Sequence, residues 1–339
     1  MTINFILTIF LILNLLVFLF YDKFSKLINI YDYPNKKRKI HLTPTPLMGG
    51  FILFLNIFVF YTINLSFFNG QFSEHLYIRS FRQEIVFLLI ITSFFLIGCF
   101  DDKYSISATK KFLISFIIFF IIAKTDNNIV ISEIKFISVD KVILLNEVGI
   151  YVSIFCFLAL SNAMNMFDGI NIQLSLYSIF IFLVLIFFYK IIFFPIILLI
   201  ALIFISILNS KGKLFLGESG VLLISFSLSY ILIKEYNYSS KIKCDEIFLL
   251  LLYPGMDMVR LFIVRLYKGL NPFLGDSNHI HHLLIKFFSY KKTTIIIFFS
   301  YAIPITLYIT LNNYLILCVL LQLFIYCSTY FIMSNKKIK

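Results

Sequence analysis

A pair of carboxylates at the end of an apolar segment is the first feature of this sequence that could do chemistry. Asp101 and Asp102 close the apolar run of GCFDDKYSISATKKF. A carboxylate within a bilayer costs about 2.5 to 3.5 kcal/mol on insertion scales, so we predict that this pair has a function. Adjacent carboxylates repel each other and usually need a cation beside them. The alternative is an interfacial signal that ends the span.

Further oxygen ligands stand in the segment SNAMNMFDGIN. Asn162, Asn165 and Asp168 follow the i, i+3, i+6 spacing, which places them along one edge of a helix before Gly169 ends it. Their amide and carboxylate oxygens suit a hard cation such as Mg²⁺. Hydrogen bonding between helices is the alternative for either asparagine alone. Glu218, between two glycines of KGKLFLGESG, is a weaker candidate because a glycine-flanked acid is often only a turn.

Three of the five histidines lie within four positions of GLNPFLGDSNHIHHLL: His279, His281 and His282. Their spacing is not that of a zinc site on one helix, and the sequence has no HExxH motif. An anion site fits better, because Asp276 can cap the helix that begins here and helix N–H groups bind anions. Cationic side chains precede the cluster: Arg260, Arg265 and Lys268. Polar residues on a hydrated loop are the alternative.

The composition indicates that membrane helices position these residues. Of 339 residues, 60% are hydrophobic and 14% are charged, and the mean hydropathy is +0.96, beyond the range of soluble domains. The net charge of +12 does not indicate a nucleic-acid partner, because Lys and Arg lie between apolar runs and form no basic stripe. The five cysteines form no CxxC pair. We predict an all-α integral membrane protein in which residues 1–339 form a single domain.

The apolar runs predict a polytopic bundle of about eleven transmembrane helices. The runs begin near Ile3, Pro46, Glu84, Lys111, Val148, Ile172, Ile191, Val221, Glu246, Thr293 and Tyr314. Residues 129–145 alternate apolar and polar side chains and are too charged to cross, which predicts a short surface hairpin.

The positions of Lys and Arg predict the orientation of the bundle, because these residues are retained on the cytoplasmic side. With the N-terminus outside, the inner loops collect twenty of the 29 Lys and Arg residues. The C-terminus is then cytoplasmic and the hairpin external. All the motifs above share the cytoplasmic face with the loop YDYPNKKRKIHLTPTPLMGG, which could alternatively be a basic loop held by anionic lipid.

These motifs, taken in order, resemble those of the polyprenyl-phosphate N-acetylhexosamine-1-phosphate transferase family. The resemblance spans almost the whole chain. It rests on PNKKRKIHLTPTPLMGG, on GCFDDKYSI followed by Lys111 and Phe112, on NAMNMFDGI, on FLGESG, and on PGMDMVR followed by PFLGDSNHIHHLL. Each motif alone is weak, whereas five in the family's order are specific.

The resemblance implies ten or eleven helices in the bacterial cytoplasmic membrane, with the active site facing the cytoplasm. It further implies transfer of a sugar 1-phosphate from a UDP-N-acetylhexosamine to undecaprenyl phosphate, giving a lipid diphosphosugar and UMP. Mg²⁺ is the expected cofactor, with Mn²⁺ as an alternative. The expected partners are these substrates and membrane lipid. The oligomeric state is left open, with a homodimer as one alternative.

The resemblance and the chemistry of the residues together assign roles. The catalytic residues are expected to be Asp101, Asp102 and Asp168. The metal ligands are expected to be Asn165, Glu218 and Asp101. The substrate-binding residues are expected to be Asn162, Asn171, Lys111, His279, His281, His282 and Arg265.

This chain departs from the family pattern at two places. Glu218 stands where the family usually has Asp, and Asn171 followed by Ile172 stands where the family has a second acid and glycine, DGxDG. The alternatives to an active transferase are therefore a catalytically degenerate relative, a membrane transporter of lipid or solute, and a zinc-dependent intramembrane hydrolase that uses the histidines.

Overall fold

The computed structural model describes residues 2–34, 43–68, 78, 80–139, 141–239, 241–272, 276, 278–311 and 314–335. Most of the predicted basic loop PNKKRKIH lies outside these residues, as do the lysines at the C-terminus.

Long apolar helices make up most of the described chain. They are α1 (Thr2–Leu19), α3 (Gly49–Phe68), α4 (Phe81–Tyr104), α5 (Ala108–Thr125), α6 (Gly149–Phe167), α7 (Gln173–Phe187), α8 (Phe193–Ser210), α9 (Gly217–Tyr238), α10 (Cys244–Tyr267), α12 (Tyr290–Leu311) and α13 (Leu315–Asn335). Two short helices are α2 (Tyr21–Ile28) and α11 (Ile280–Ile285). The short strands are β1 (Tyr31–Asp32), β2 (Thr45–Pro46), β3 (Glu133–Lys135) and β4 (Val142–Leu144).

Each predicted span coincides with one of the long helices, which confirms a polytopic helical protein. Within the described residues, eight helices are long and apolar enough to cross a membrane, or nine if the bent pair of α1 and α2 is one span. The remaining long helices either carry more charge, as α5 does, or are shorter, as α7 is. A count of eleven spans and the orientation of the bundle stay predictions.

Helix α9 forms the centre of the bundle and is almost entirely buried. It packs against α3, α4 and α6. Small side chains allow close approach between membrane helices, and α9 carries Ser219, Gly220, Ser225 and Ser227 in its buried surface. An added Cβ at Gly98 of α4 would lie 2.2 Å from the Cα of Ser219, so the contact between α4 and α9 requires glycine.

The predicted surface hairpin is confirmed as the antiparallel pair of β3 and β4, with Ile134 opposite Ile143. The C-terminal end of α9 and the N-terminal end of α10 both form hydrogen bonds with the hairpin. The Tyr236 hydroxyl donates to the Glu133 carbonyl at 2.8 Å, and the Asp245 carboxylate accepts the Ser138 N–H at 2.9 Å. Since the hairpin lies at the C-terminal end of α9, Glu218 at the N-terminal end belongs to the opposite end of the bundle.

Candidate active site

Two of the predicted motifs, far apart in sequence, are joined by backbone hydrogen bonds at the start of α9. The N–H of Phe215 donates to the carbonyl of Pro46 at 3.0 Å, and the N–H of Gly50 donates to the carbonyl of Leu216 at 3.0 Å. A side chain at Gly50 would meet the Ser219 Oγ at 2.2 Å. The glycine pair at the mouth of α3 therefore lets the TPLMGG segment lie directly against FLGESG.

Asp102 holds the N-terminus of α9. Its carboxylate accepts the backbone N–H of Glu218 at 2.7 Å, the N–H of Ser219 at 3.2 Å and the hydroxyl of Ser219 at 2.8 Å. The first N–H groups of a helix have no partner within the helix, and a carboxylate there is also favoured by the helix dipole. Gly217 adopts φ +76°, and a Cβ there would lie 2.7 Å from Asp102 Oδ2. Asp102 thus fixes the backbone that presents Glu218.

Asp101, Lys111 and Glu218 form a charged chain across three helices. The Lys111 Nζ donates to Asp101 Oδ2 and to Glu218 Oε2, both at 2.7 Å. The other oxygen of Asp101 accepts the N–H of Ile106 at 2.6 Å, and the other oxygen of Glu218 accepts a hydrogen bond from the Asn165 side chain. The ammonium group therefore neutralises two carboxylates that would otherwise repel each other.

Asp168 lies directly after α6, on the edge that the spacing predicts. Burial and the negative charges of Glu218 and Asp102 raise the pKa of Asp168 to about 7. Among the described residues, no side chain or backbone N–H donates to its carboxylate. A cation bound beside Asp168 would favour its ionised form, because the positive charge offsets the repulsion from Glu218 and Asp102.

The histidine cluster packs against the loop that follows Asp168. A Cβ at Gly169 would lie 1.8 Å from His281 Nε2, so the loop and the ring are in direct contact. Both ring nitrogens of His281 are buried without a hydrogen bond among the described residues. Burial and the neighbouring His282 lower the pKa of His281 well below its ordinary value. The ring of His279 stacks on that of His281 with centroids 5.2 Å apart.

Arg265 supplies a buried positive charge beside the histidines. Its Nε donates to Asp276 Oδ2 at 3.0 Å and its Nη1 to the Pro272 carbonyl at 2.7 Å, whereas Nη2 is buried without a partner among the described residues. The pairing with Arg265 lowers the pKa of Asp276. The prediction that Asp276 caps α11 is wrong: its other oxygen accepts the N–H of Asn278 at 2.8 Å, and Asp257 accepts the N–H of Ile280 at 3.2 Å.

A cavity of about 280 Å³ joins the predicted metal-binding and anion-binding groups. Its lining includes nine of the predicted site residues: Lys111, Asn162, Asn165, Asp168, Glu218, Arg265, His279, His281 and His282. Apolar side chains such as Leu158, Phe112 and Phe262 line another part of the wall. The cavity can therefore hold a polyanion beside an apolar group.

The remaining predicted site residues lie outside the lining of this cavity. Asp101 and Asp102 act on Lys111 and on the backbone of α9, as described above. Asn171 is exposed on the loop between α6 and α7. Next to it, Ile172 adopts φ +61°, and its N–H donates to the Asn209 side chain. A β-branched residue is rarely found in this left-handed region, so the departure from glycine at this position places strain in the loop.

Asp257 and Ser219 are site residues that the sequence reasoning did not single out. Asp257 is buried in α10 and contacts His279, and Ser219 donates to Asp102. An acid inside the apolar segment PGMDMVR was the available signal for Asp257, by the same argument that selected Asp101 and Asp102. No comparable signal marked Ser219, because serine is common in membrane helices.

The oxygen donors that line the cavity are of the ligand type that Mg²⁺ takes in proteins. Within the described part of the chain, no group of three or more His, Cys, Asp or Glu side chains converges in a metal-binding arrangement. The oxygens of Asn165, Asp168 and Glu218 form a mixed set, with Asp168 carrying no hydrogen bond of its own. Mg²⁺ is commonly bound by one or two carboxylates together with water and substrate phosphate.

The fold and the site together define a class of protein: a helical membrane protein with a cavity lined by acidic and basic side chains at one end of its bundle. Comparisons with known proteins narrow this class. A family model described as "Glycosyl transferase family 4" matches residues 84–235, which reach from α4 into α9. This match agrees with the family resemblance that the motifs indicated.

Curated relatives agree with this family. The chain is 28% identical over 294 residues to an undecaprenyl-phosphate alpha-N-acetylglucosaminyl 1-phosphate transferase of Escherichia coli O157:H7, covering 83% of this chain and 76% of that protein. It is 27% identical to the protein of the same name from Escherichia coli strain K12, with the same coverage. The Salmonella typhi protein of this name is 26% identical over 296 residues, again covering 83% and 76%.

Proposed function

We propose that this chain transfers a sugar 1-phosphate, of the N-acetylhexosamine class, from a UDP-sugar to undecaprenyl phosphate. An oxygen of the acceptor phosphate forms a bond to the sugar-bearing phosphorus of the donor. The bond from that phosphorus to the oxygen shared with UMP breaks, so the products are undecaprenyl-diphospho-sugar and UMP. This reaction would initiate the synthesis of O-antigen or another cell-surface polysaccharide.

One observation carries the proposal: the cavity brings the acidic residues Asp168 and Glu218 to the same space as Arg265 and the three histidines. A reaction between two phosphate-bearing anions needs their charges neutralised and their reacting atoms aligned. Basic side chains can bind the donor diphosphate while the acids hold a cation. The apolar wall of the cavity suits a lipid chain better than it suits a soluble acceptor.

The acceptor requires little help from a general base. A phosphate monoester has a second pKa near 6, so undecaprenyl phosphate is mostly dianionic at pH 7. Asp101 and Asp102 instead support the site by positioning, since Asp101 holds Lys111 and Asp102 holds the backbone of Glu218. Direct displacement at phosphorus therefore accounts for the arrangement, and Asp168 would orient the donor or the cation.

We propose Mg²⁺ as the cofactor, with Mn²⁺ as the alternative. Asn165 and Glu218 would hold it together with Asp168. Glu218 and Asp101 share Lys111, and each accepts hydrogen bonds at both oxygens. Glu218 lines the cavity and Asp101 does not, so Asp101 would join this set only if Lys111 moved aside. When bound, the ion supplies positive charge to the donor diphosphate. Lys111 and Arg265 then add positive charge from the wall of the cavity.

The proposed location is the bacterial cytoplasmic membrane, with the cavity open to the cytoplasm, where sugar nucleotides are made. The distribution of Lys and Arg supports this orientation. A homodimer stays a prediction.

A membrane transporter is the rival from another class of protein. Transporters bind their substrates near the middle of the bilayer, between broken helices. Here Glu218 lies in the first turn of α9, Asp101 in the last turn of α4 and Asp168 just beyond α6, so the acids gather at helix ends. That placement favours an enzyme at the membrane surface.

The deciding experiment uses purified protein, undecaprenyl phosphate and a panel of UDP-N-acetylhexosamines, with UMP release measured with and without Mg²⁺. We expect release with at least one donor, lost on chelation and restored by Mg²⁺. Host membranes that lack this chain, carried through the same purification, serve as the control for contaminating host enzyme. Absence of UMP with every donor would overturn the proposal and leave the transporter or the degenerate relative.

A further inference from the structure

Asp257 is a buried acid outside the lining of the cavity, and it holds the histidine segment in place. It lies in α10 with only 2% of its surface exposed. Its Oδ2 lies 3.0 Å from His279 Nδ1, and its Oδ1 accepts the backbone N–H of the next residue, Ile280, at 3.2 Å. One carboxylate therefore fixes both the ring of His279 and the first turn of α11.

Arg260 and Tyr326 fix the position of Asp257 in turn. Arg260 Nη2 and the Tyr326 hydroxyl each donate to Asp257 Oδ1 at 2.8 Å. Arg260 Nη2 also donates to the carbonyl of Asn278 at 2.8 Å, and its guanidinium lies over the ring of Tyr330, 4.4 Å from the centroid. Three consecutive residues, 278 to 280, are thus held by one pair of side chains from α10, which rests on α13.

A buried ion pair that serves stability alone does not account for this arrangement. Asp257 and Arg260, one turn apart on α10, would satisfy each other without the loop. Instead the remaining acceptor of Asp257 points to a ring nitrogen of His279, which lines the cavity. Since Nδ1 is engaged by the carboxylate, Nε2 is the ring nitrogen left for a ligand.

We infer that Asp257 is a positioning residue for the donor phosphate site, acting through His279. Its carboxylate accepts the Nδ1–H of His279, so that in the doubly protonated ring Nε2–H is the group that donates to the diphosphate of the sugar nucleotide. This inference rests on the proposed function, because it specifies which end of the substrate pair the histidine segment serves. A carboxylate that orients a histidine contributes to function without contacting the ligand itself.

The test is a double-mutant cycle with Asp257→Asn and His279→Gln, in which purified variants are assayed for UMP release against both substrates. Asp257→Asn alone is expected to lower kcat/KM by about 10-fold to 100-fold, the range found when a partner that orients a ligand is lost. The KM for the UDP-sugar should rise, and the KM for undecaprenyl phosphate should stay within about twofold of wild type. In the His279→Gln background the same substitution should add less than a further twofold.

The matched control is Glu246→Gln, which changes a buried carboxylate in the first turn of the same helix. Glu246 Oε1 accepts the hydroxyls of Tyr189 at 2.9 Å and Tyr308 at 2.6 Å, and Oε2 accepts the Lys243 N–H at 2.7 Å. Its substitution should lower the melting temperature and leave both KM values unchanged. A role of Asp257 in stability alone would give this same pattern.

The outcomes separate this inference from the proposed function. Wild-type protein that releases no UMP overturns the proposed function. An active wild type overturns the inference instead if the effects of Asp257→Asn and His279→Gln multiply, or if Asp257→Asn leaves the donor KM unchanged. Should Asp257→Asn not fold, Asp257→Glu keeps the charge and displaces the carboxylate. The same cycle then decides, with a smaller rise in donor KM expected.

Discussion

At the residue scale, Glu218 is the position where the effect of side-chain charge can be measured separately from the effect of side-chain length. One of its oxygens accepts from Lys111 at 2.7 Å and the other from Asn165. We expect Glu218→Asp to keep Mg²⁺-dependent turnover, because the charge remains and aspartate is the usual residue of the family here. Glu218→Gln should lower kcat/KM by at least about 100-fold, since an amide cannot replace a charged ligand of a cation.

The measurement for Glu218 is UMP release across a Mg²⁺ titration. Glu218→Asp should respond to Mg²⁺ with a shifted midpoint, and Glu218→Gln should respond weakly at any concentration. Full activity of Glu218→Gln would remove this residue from the metal site.

The raised pKa of Asp168, about 7, predicts how Mg²⁺ binding depends on pH. Below pH 7 the acid is protonated in the metal-free site, and a cation must displace that proton. The Mg²⁺ concentration for half-maximal activity should therefore fall as the pH rises from 6 to 8. Burial and the charges of Glu218 and Asp102 raise the pKa of Asp168 above its value in the unfolded chain. In the absence of a cation, the free energy of unfolding should therefore fall as the pH rises from about 4 to 7.

Two measurements check this prediction for Asp168. The first is the Mg²⁺ midpoint at pH 6, 7 and 8 for wild type. The second is the shift of the melting temperature on adding Mg²⁺, which should be larger at pH 8 than at pH 6. A midpoint that does not change with pH would contradict the assignment of Asp168 to the cation site.

The sequence allowed prediction of those site residues whose polar side chains are costly in a membrane. Acids and histidines at the ends of apolar runs are costly there, so their presence marked Asp101, Asp168 and the histidine segment. The partners of these residues were not predictable. The contact of Asp102 with the backbone of α9 spans more than 100 positions in sequence, and the contact of Gly169 with His281 likewise depends on how separate helices pack.

At the element scale, the close approach of α4 to α9 predicts the effect of one methyl group. A Cβ at Gly98 would lie 2.2 Å from the Cα of Ser219 and 2.5 Å from its N. Because these are backbone atoms, the helices must separate, and we expect Gly98→Ala to destabilise the protein by about 1 to 3 kcal/mol. The movement would also displace the neighbouring Glu218, so activity should fall as well.

The control for Gly98→Ala is Gly255→Ala in α10, where an added Cβ meets nothing within 4 Å. That substitution should leave stability unchanged or raise it by up to about 1 kcal/mol, because alanine favours the helix. Thermal unfolding of the detergent-solubilised variants measures both. Equal melting temperatures for the two variants would contradict the close contact.

The left-handed backbone in the loop between α6 and α7 predicts that glycine is favoured over alanine at position 172. Ile172 adopts φ +61°, where an L residue with a Cβ is disfavoured by about 1 to 2 kcal/mol. Ile172→Gly and Ile172→Ala both remove the side-chain atoms beyond Cβ, but only glycine also removes the Cβ that causes the strain. We therefore expect Ile172→Gly to be the more stable of the two by about 1 kcal/mol in thermal unfolding. A more stable alanine variant would contradict the left-handed backbone at this position.

The starts of the long helices could be predicted from the sequence to within four residues, whereas the number of helices that cross the membrane stays a prediction. Apolar runs located α3 and α10 within a few residues, because long apolar segments are helical in a bilayer. The short connection around Tyr189 and Lys190 does separate α7 from α8, as predicted. Helix α7 has 15 residues, fewer than the roughly 20 that span the hydrocarbon core of a bilayer.

At the scale of the whole molecule, the two ends of the bundle differ in a way that makes orientation measurable. The hairpin lies at the C-terminal end of α9, and the cavity lies at its N-terminal end. Lys141 in the hairpin and Lys291 at the start of α12 are both exposed, and they belong to opposite ends. In a background with all five native cysteines replaced, Lys141→Cys and Lys291→Cys provide one reactive thiol at each end.

If the positive-inside bias sets the orientation, a membrane-impermeant maleimide should label Lys291→Cys in inverted vesicles and Lys141→Cys in right-side-out vesicles. Each variant should be labelled in both preparations once detergent is added, which controls for thiol reactivity. UMP release by each variant confirms that the helices have assembled around the cavity. The reverse labelling pattern would place the cavity on the external face, away from cytoplasmic sugar nucleotides, and would contradict the proposed supply of the donor.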